Sequence, residues 1–419
     1  MLNRKTLLTR AAAALLLGTV AAALPAQAQG QKKITLLTWN LPVYGEKIAA
    51  WTKEFNQKYP DIQVEWIDKK GTEWATFYQA QLAAGTAPDV VNIQGTLWAE
   101  YALDDRLLDL TPYLAKDAAL KARFAPGALD IWSANGKNWL LPWYFSKTLL
   151  FGNKALMKAS GIDAMPRSFD ELMAASAKVK GPGKSGFLTT NFDWLYWPLF
   201  KMNGVDVLNP TLTKAAFNTA AGAATLAKLS EATRNGVINN ISWTGRWVEP
   251  NTAFASGNVA MYLAPTSALF WAASKADWID EKGVEVVELA GLYAVPNNHG
   301  FGVSKSSKYP DAAVELIKIA TSDKWQKVFA ENFSVATLNT AVDKALLEKM
   351  RDENPLKAKA LELTTRNLDK MTGYLKTPKD ARVKDIFWTE VQPVLLGKGD
   401  AAAALAKAQE RIDRELARP

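Results

Sequence analysis

At 419 residues, with 50 Lys and Arg against 42 Asp and Glu, the chain is long enough for two domains and carries a formal charge of +8. Its basic residues are scattered among acidic ones, which excludes the continuous basic stripe of a nucleic-acid binder. With no Cys and a single His, disulfides and Cys-based metal sites are excluded, and no catalytic residue, cofactor or metal is expected. What the chain does hold is 16 Trp, 11 Tyr and 16 Phe. Rings offer an apolar face to C–H groups while Tyr O–H, Trp N–H and amides meet hydroxyls. That pairing suits a carbohydrate-like solute held without chemistry. For any single Trp, a place in the core is the competing expectation.

Arg4, Lys5 and Arg10 precede an apolar run from Ala11 to Leu24, which Pro25 breaks before Ala26-Gln27-Ala28. A basic start, a short apolar stretch and a small-x-small end predict a secretory signal peptide over residues 1–28. The run is shorter than the roughly 20 residues that span a bilayer, and no Cys follows it as a lipid anchor. Removing those three basic residues leaves a mature protein near +5. It is expected to be soluble, periplasmic and monomeric.

Lys33–Trp39 is a continuous apolar run of strand length, as in a strand covered on both faces. Gly45–Tyr59 reads as a helix with Ile48, Ala49, Trp51 and Phe55 at helical spacing and Pro60 stopping it. Ile62–Ile67 alternates as a second strand. Glu73–Ala84 is helical, with Gly85 at the C-cap and Pro88 beyond, and Val90–Ile93 is a third strand. This order predicts right-handed βαβ units and a mainly parallel sheet.

Lys137–Leu141 and Thr148–Gly152 read as strands near a crossing between domains. Ser168 with Glu171 opens a helix to Val179 as a capping pair. Gly181–Gly186 lacks phosphate-loop spacing and reads as a flexible turn. Thr213–Asn235 is read as a helix, Phe301–Val303 as a strand, and Pro310–Ala320 and Ala401–Ala417 as helices. His299, in an Asn-Asn-His-Gly stretch, is expected to be an exposed turn residue.

Five local patterns recur in one order. Gly85-Thr86-Ala87-Pro88-Asp89-Val90-Val91 comes first, then Leu141-Pro142-Trp143-Tyr144 with Leu150-Phe151-Gly152-Asn153-Lys154-Ala155-Leu156. Ala253–Met261, Ser304–Ala313 and the terminal Gly397-Lys398 ahead of Ala404-Leu405 follow. Together they resemble extracellular solute-binding protein family 1, the sugar-receptor subunits of ABC importers. The resemblance implies an α/β, two-lobe periplasmic-binding-protein fold (type II-like), each lobe a mainly parallel sheet flanked by helices. It implies lobes of 29–142 plus 301–338 and 143–300 plus 339–419, with the ligand cleft between them. It also implies permease subunits in the inner membrane as partners, and hinge closure on the solute.

Carried over residue by residue, the resemblance offers Asn40 and Tyr44 after the first strand, Glu73 and Trp74 on the next helix, and Gly95, Thr96 and Trp98 after Val90–Ile93. Trp143, Tyr144 and Ser146 match a further segment, with Ser146 where maltose-binding relatives have a carboxylate. Asp193 and Trp194 match a segment that supplies a stacking ring. Thr266 stands in a loop lacking the relatives' aromatic, for which Phe270 or Trp271 can substitute, and Trp388 resembles another stacking position. Trp243 and Trp247 bracket Arg246, which reads equally as a cleft guanidinium or a cation–π brace.

These residues point to a carbohydrate receptor without catalysis. A secreted glycosidase using Asp193 and Glu73 stays open as an alternative, since it would need two carboxylates across a scissile bond. So does a receptor for glycerol phosphate or a polyamine. A phosphate ester would want a cationic cluster, for which Arg246 and Lys147 are the candidates.

Overall fold

The computed structural model describes residues 32–39, 45–292, 298–333, 335–370 and 376–418. The expected signal peptide, Asn40 and Tyr44 lie outside them. Among the described residues no helix is long and apolar enough to cross a membrane.

The first sheet is built from β1 (Lys32–Trp39), β2 (Ile62–Lys69), β3 (Val90–Gln94), β4 (Leu141–Tyr144) and, far along the chain, a strand at His299–Val303. α1 (Gly45–Lys58) and α2 (Gly71–Ala83) are the crossovers that make β1 parallel to both β2 and β3. Ile48, Trp51 and Phe55 bury one face of α1, as their spacing requires. α2 stops where Gly85 takes φ +70, so that the Gly85 and Thr86 amides cap Leu82 and Gln81. A side chain there would be strained in the left-handed region. α3 (Trp98–Leu103) follows β3 directly.

The second sheet contains β5 (Thr148–Asn153), β6 (Ser185–Leu188), β7 (Val259–Pro265) and β8 (Val284–Val287). With His299–Val303 as β9, the orders are β2-β1-β3-β9-β4 and β8-β5-β7-β6. A mainly parallel sheet in each lobe needs correction. β9 runs antiparallel to β3 and β4, and in the second sheet β6–β7 is the parallel pair while β7 and β8 run antiparallel to β5. Strands that return from the other lobe need no crossover helix on their own sheet, so the parallel constraint lapses there.

The chain passes between lobes at three places. β4 packs Trp143 and the following Phe145 into the first core, and the next strand, β5, belongs to the second sheet. β9, His299–Val303, brings the chain back into the first sheet. The third passage runs along Pro355–Thr364, which packs Ala358 and Leu361 on the first core and Leu356, Ala360 and Leu363 on the core behind the second sheet. Before it, the Phe145 amide donates to Ala336 O at 2.7 Å within the first lobe. Gln326, fully buried, donates from Nε2 to Pro142 O at 3.1 Å, Trp143 O at 3.2 Å and Thr337 O at 3.4 Å, and so ties β4 to the segment after residue 335.

Several expected elements are realised differently. Lys137–Leu141 becomes a two-residue ladder, Ser133–Ala134 with Lys137–Asn138, around Asn135 and Gly136, whose φ angles of +54 and +74 suit a tight hairpin turn. The helix expected over Thr213–Asn235 begins only at Ala220, because the Thr219 hydroxyl accepts from Gly222 N and caps it there. A helix at Asp380–Leu395, unexpected from the sequence, carries Pro393 inside it. His299 is corrected outright: it is 3% exposed in β9, where its Nδ1 meets Asn92 Oδ1 at 3.0 Å.

Candidate functional site

One cavity of about 200 Å³ opens between the lobes. Thr96 and Leu97, at the carboxyl end of β3, form its first-lobe wall. The rest comes from the second lobe. Asn191, Phe192 and Tyr196 lie around the start of α4 (Asp193–Lys201), and Arg246 lies in the turn before Val248–Ala255. Asp380, Ala381, Lys384, Asp385 and Trp388 line it from α5 (Asp380–Leu395). Loops at strand ends, brought together where two sheets face each other, are where α/β folds place ligands.

α5 reaches the cavity by simple periodicity. Asp380, Lys384 and Trp388 stand four residues apart, so they share one stripe, while Val383, Phe387, Val391 and Val394 bury the stripe beside it. Phe387 locks that buried face by packing on Trp197, ring centres 4.0 Å apart. Trp388 is half-buried and lies flat on Tyr196 at 4.3 Å with 19° between planes. The guanidinium of Arg246 sits 4.7 Å over the Phe192 ring. The cavity therefore has aromatic faces on one side. Lys384 Nζ donates to Asp380 Oδ2 at 2.9 Å, and both side chains are almost wholly buried. The charged groups among these lining residues are two carboxylates, Asp380 and Asp385, and two cations, Arg246 and Lys384.

Of the residues expected at the site, Thr96, Arg246 and Trp388 line this cavity. Arg246 is exposed and uses Phe192, not the bracketing tryptophans, as its ring partner. Asp193 and Trp194 open α4 beside the cavity, but their side chains lie outside what is described. Gly95 is in the same turn, buried, with its amide donating to Asn298 O at 2.8 Å.

The others go elsewhere. Glu73 is exposed on α2, away from the cavity lining. Trp74 is fully buried and stacks on Trp39, and Trp98 and Trp143 are core residues of the first lobe. Tyr144 is half-buried between His299 at 4.7 Å and Phe329 at 5.4 Å, and burial raises its phenol well above the ordinary value. Ser146 and Thr266 are buried and bond each other at 2.8 Å, closing the start of β5 against the end of β7. Trp243 is fully buried, its Nε1 donating to Thr233 Oγ1 at 2.8 Å. Trp271 is half-buried against the core behind the second sheet, with Lys275 over its ring.

Lys147, a candidate for anion binding, is unavailable for that role. Its buried Nζ bonds Glu288 at 2.7 Å and Arg366 O at 2.8 Å, and burial lowers its pKa. Residues missed in the sequence are Asn191, Phe192, Tyr196, Asp380, Lys384 and Asp385. The i, i+4, i+8 spacing of Asp380, Lys384 and Trp388 was the signal that could have found the last group.

Comparison with known proteins places this geometry in a family. The model for bacterial extracellular solute-binding proteins matches residues 38–327, more than half of the chain. The arabinooligosaccharide-binding protein of Bacillus subtilis is 26% identical over 157 residues, 36% of this chain and 35% of that one. The chain thus spans about a third of that relative's length. The sn-glycerol-3-phosphate-binding periplasmic protein UgpB of Rhizobium meliloti is 25% identical over 417 residues, 89% of this chain and 91% of that one. Among solved structures, the sugar-binding protein MalE of Xanthomonas citri superposes with a TM-score of 0.77 at 21% identity, covering 92% of this chain and 98% of that one. The two lobes, the cleft between them and the matched residues agree: the chain belongs to the bacterial extracellular solute-binding protein family.

Proposed function

We propose that this chain is an exported receptor that captures a neutral carbohydrate in the cavity between its lobes and delivers it to the permease of an ABC importer, without turning it over. Residues 1–28 act as the export signal and are absent from the periplasmic form. The lobes are approximately residues 29–145 plus 299–353, and 146–298 plus 354–419, since Val342, Leu346 and Met350 pack in the first core and Leu356, Ala360 and Leu363 behind the second sheet.

The observation that carries the carbohydrate reading is the cavity wall. Trp388 on Tyr196 gives a flat aromatic surface for the C–H face of a sugar ring, while Asn191, Thr96 and the charged side chains meet hydroxyls. Its carboxylates balance its cations, so the lining carries no surplus positive charge for a phosphate ester. This weighs against the glycerol phosphate suggested by a relative matched over most of its length. Glu73 stands exposed outside the lining, which removes one of the two carboxylates the glycosidase reading used.

Calorimetric titration of ligand-stripped protein with arabino- and malto-oligosaccharides and with sn-glycerol 3-phosphate tests this. One oligosaccharide is expected to bind one-to-one and to be recovered unchanged. Tighter binding of sn-glycerol 3-phosphate, or sustained hydrolysis, would overturn the reading.

A further inference from the structure

The Asp380–Lys384 pair is buried, yet it forms part of the cavity wall. Burying an ion pair is not needed to hold α5, whose adjoining stripe is already packed by Val383, Phe387, Val391 and Val394. A well-packed apolar pair at these positions would serve stability as well or better. Its position one turn and two turns before Trp388 puts both charges next to the aromatic surface of the cleft.

We propose that Asp380 sets the charge preference of the receptor. By holding the Lys384 ammonium at 2.9 Å, it keeps that cation from acting as an anion site, and the cleft selects uncharged polyhydroxyl ligands over those bearing a phosphate or carboxylate. The argument rests on the carbohydrate reading of the same cavity. Removing the carboxylate leaves a buried ammonium short of one countercharge, which an anionic ligand entering the cavity can supply. Asp380 is thus a positioning residue: its effect on the ligand runs through Lys384.

The test compares wild-type protein with Asp380→Asn, Asp380→Glu and the double variant Asp380→Asn/Lys384→Met, using sn-glycerol 3-phosphate, inorganic phosphate and maltotriose as probes. Asp380→Asn is expected to gain about tenfold or more in affinity for sn-glycerol 3-phosphate, and to be raised in melting temperature by phosphate. Asp380→Glu is expected to restore exclusion, and loss of Lys384 to abolish the gain. Unchanged phosphate affinity in a folded Asp380→Asn would overturn the proposal, as would a gain that survives Lys384→Met. If Asp380→Asn does not fold alone, phosphate should rescue it, and failure of that rescue counts against the proposal. Should no oligosaccharide bind wild-type protein while the Asp380→Asn gain appears, the carbohydrate reading falls and only the exclusion of anions by Asp380 stands.

Discussion

Stability is expected to fall by several kcal/mol as the pH is lowered from about 6.5 toward 3, and to fall much less in His299→Gln. The cause is local. His299 stands in β9 against Asn92, stacked on Tyr144 and edge-on to Trp39 at 5.6 Å, and burial pushes its pKa down to about 3. The folded protein therefore holds a neutral ring, while the unfolded chain takes a proton near pH 6.5. A depressed folded value means that the stabilisation is fully present above the unfolded pKa and is lost as pH falls toward the folded one. At about 1.36 kcal/mol per pH unit over that window the loss is on the order of 4 kcal/mol. Urea unfolding at pH 7.5 and pH 4 measures it. Carboxylates also titrate in this range, so the decisive quantity is the difference between wild type and His299→Gln. Parallel pH profiles would place His299 in contact with water and contradict its buried position.

Trp388→Ala is expected to weaken oligosaccharide binding by about 10–100-fold, roughly 1.4–2.8 kcal/mol, with a minor change in unfolding temperature. This ring is stacked on Tyr196, and Trp388 also lines the cavity. Truncation removes the flat wall on which a sugar ring would lie but leaves the buried face of α5 untouched. Trp243→Ala is the contrast. Trp243 is fully buried and bonded to Thr233, so its loss should cost about 3–5 kcal/mol of stability without a direct effect on affinity. Calorimetry and thermal unfolding on the two variants separate the roles. A Trp388→Ala protein with wild-type affinity would remove the stacking surface from the account.

Elements with local stop and start signals were legible in the sequence. Pro310–Ala320 was read to the residue, because Pro310 sits at its first turn and its apolar positions repeat at helical spacing. Lys33–Trp39 was legible as a continuous apolar run of strand length, and Val90–Ile93 as a short strand following the Gly85 and Pro88 stop signals. α5 was not, since Pro393 looks like a breaker and Asp380, Lys384 and Asp385 look like a solvated face.

The site was legible in outline only. Its family resemblance pointed to Thr96 and Trp388, which both line the cavity. It pointed equally to Trp74, Trp98 and Trp143, which are core. Tryptophan composition cannot separate these cases, because a ring that packs a sheet and a ring that faces a sugar are the same residue. What separates them is which lobe's core lies behind each one. That is set by contacts far apart in sequence, such as Tyr196 with Trp388 or Asn92 with His299.

The central claim is that the solute is held between the two lobes, touching Thr96 and Leu97 on one side and α5 on the other. A ligand that contacts both walls binds best where they are closest, so it shifts the open–closed equilibrium by its differential affinity for the two states. Small-angle X-ray scattering on ligand-stripped protein, with and without a saturating oligosaccharide that calorimetry shows to bind, measures this directly. The account predicts a smaller radius of gyration with the sugar bound. Superimposable profiles would contradict it and would confine binding to one lobe.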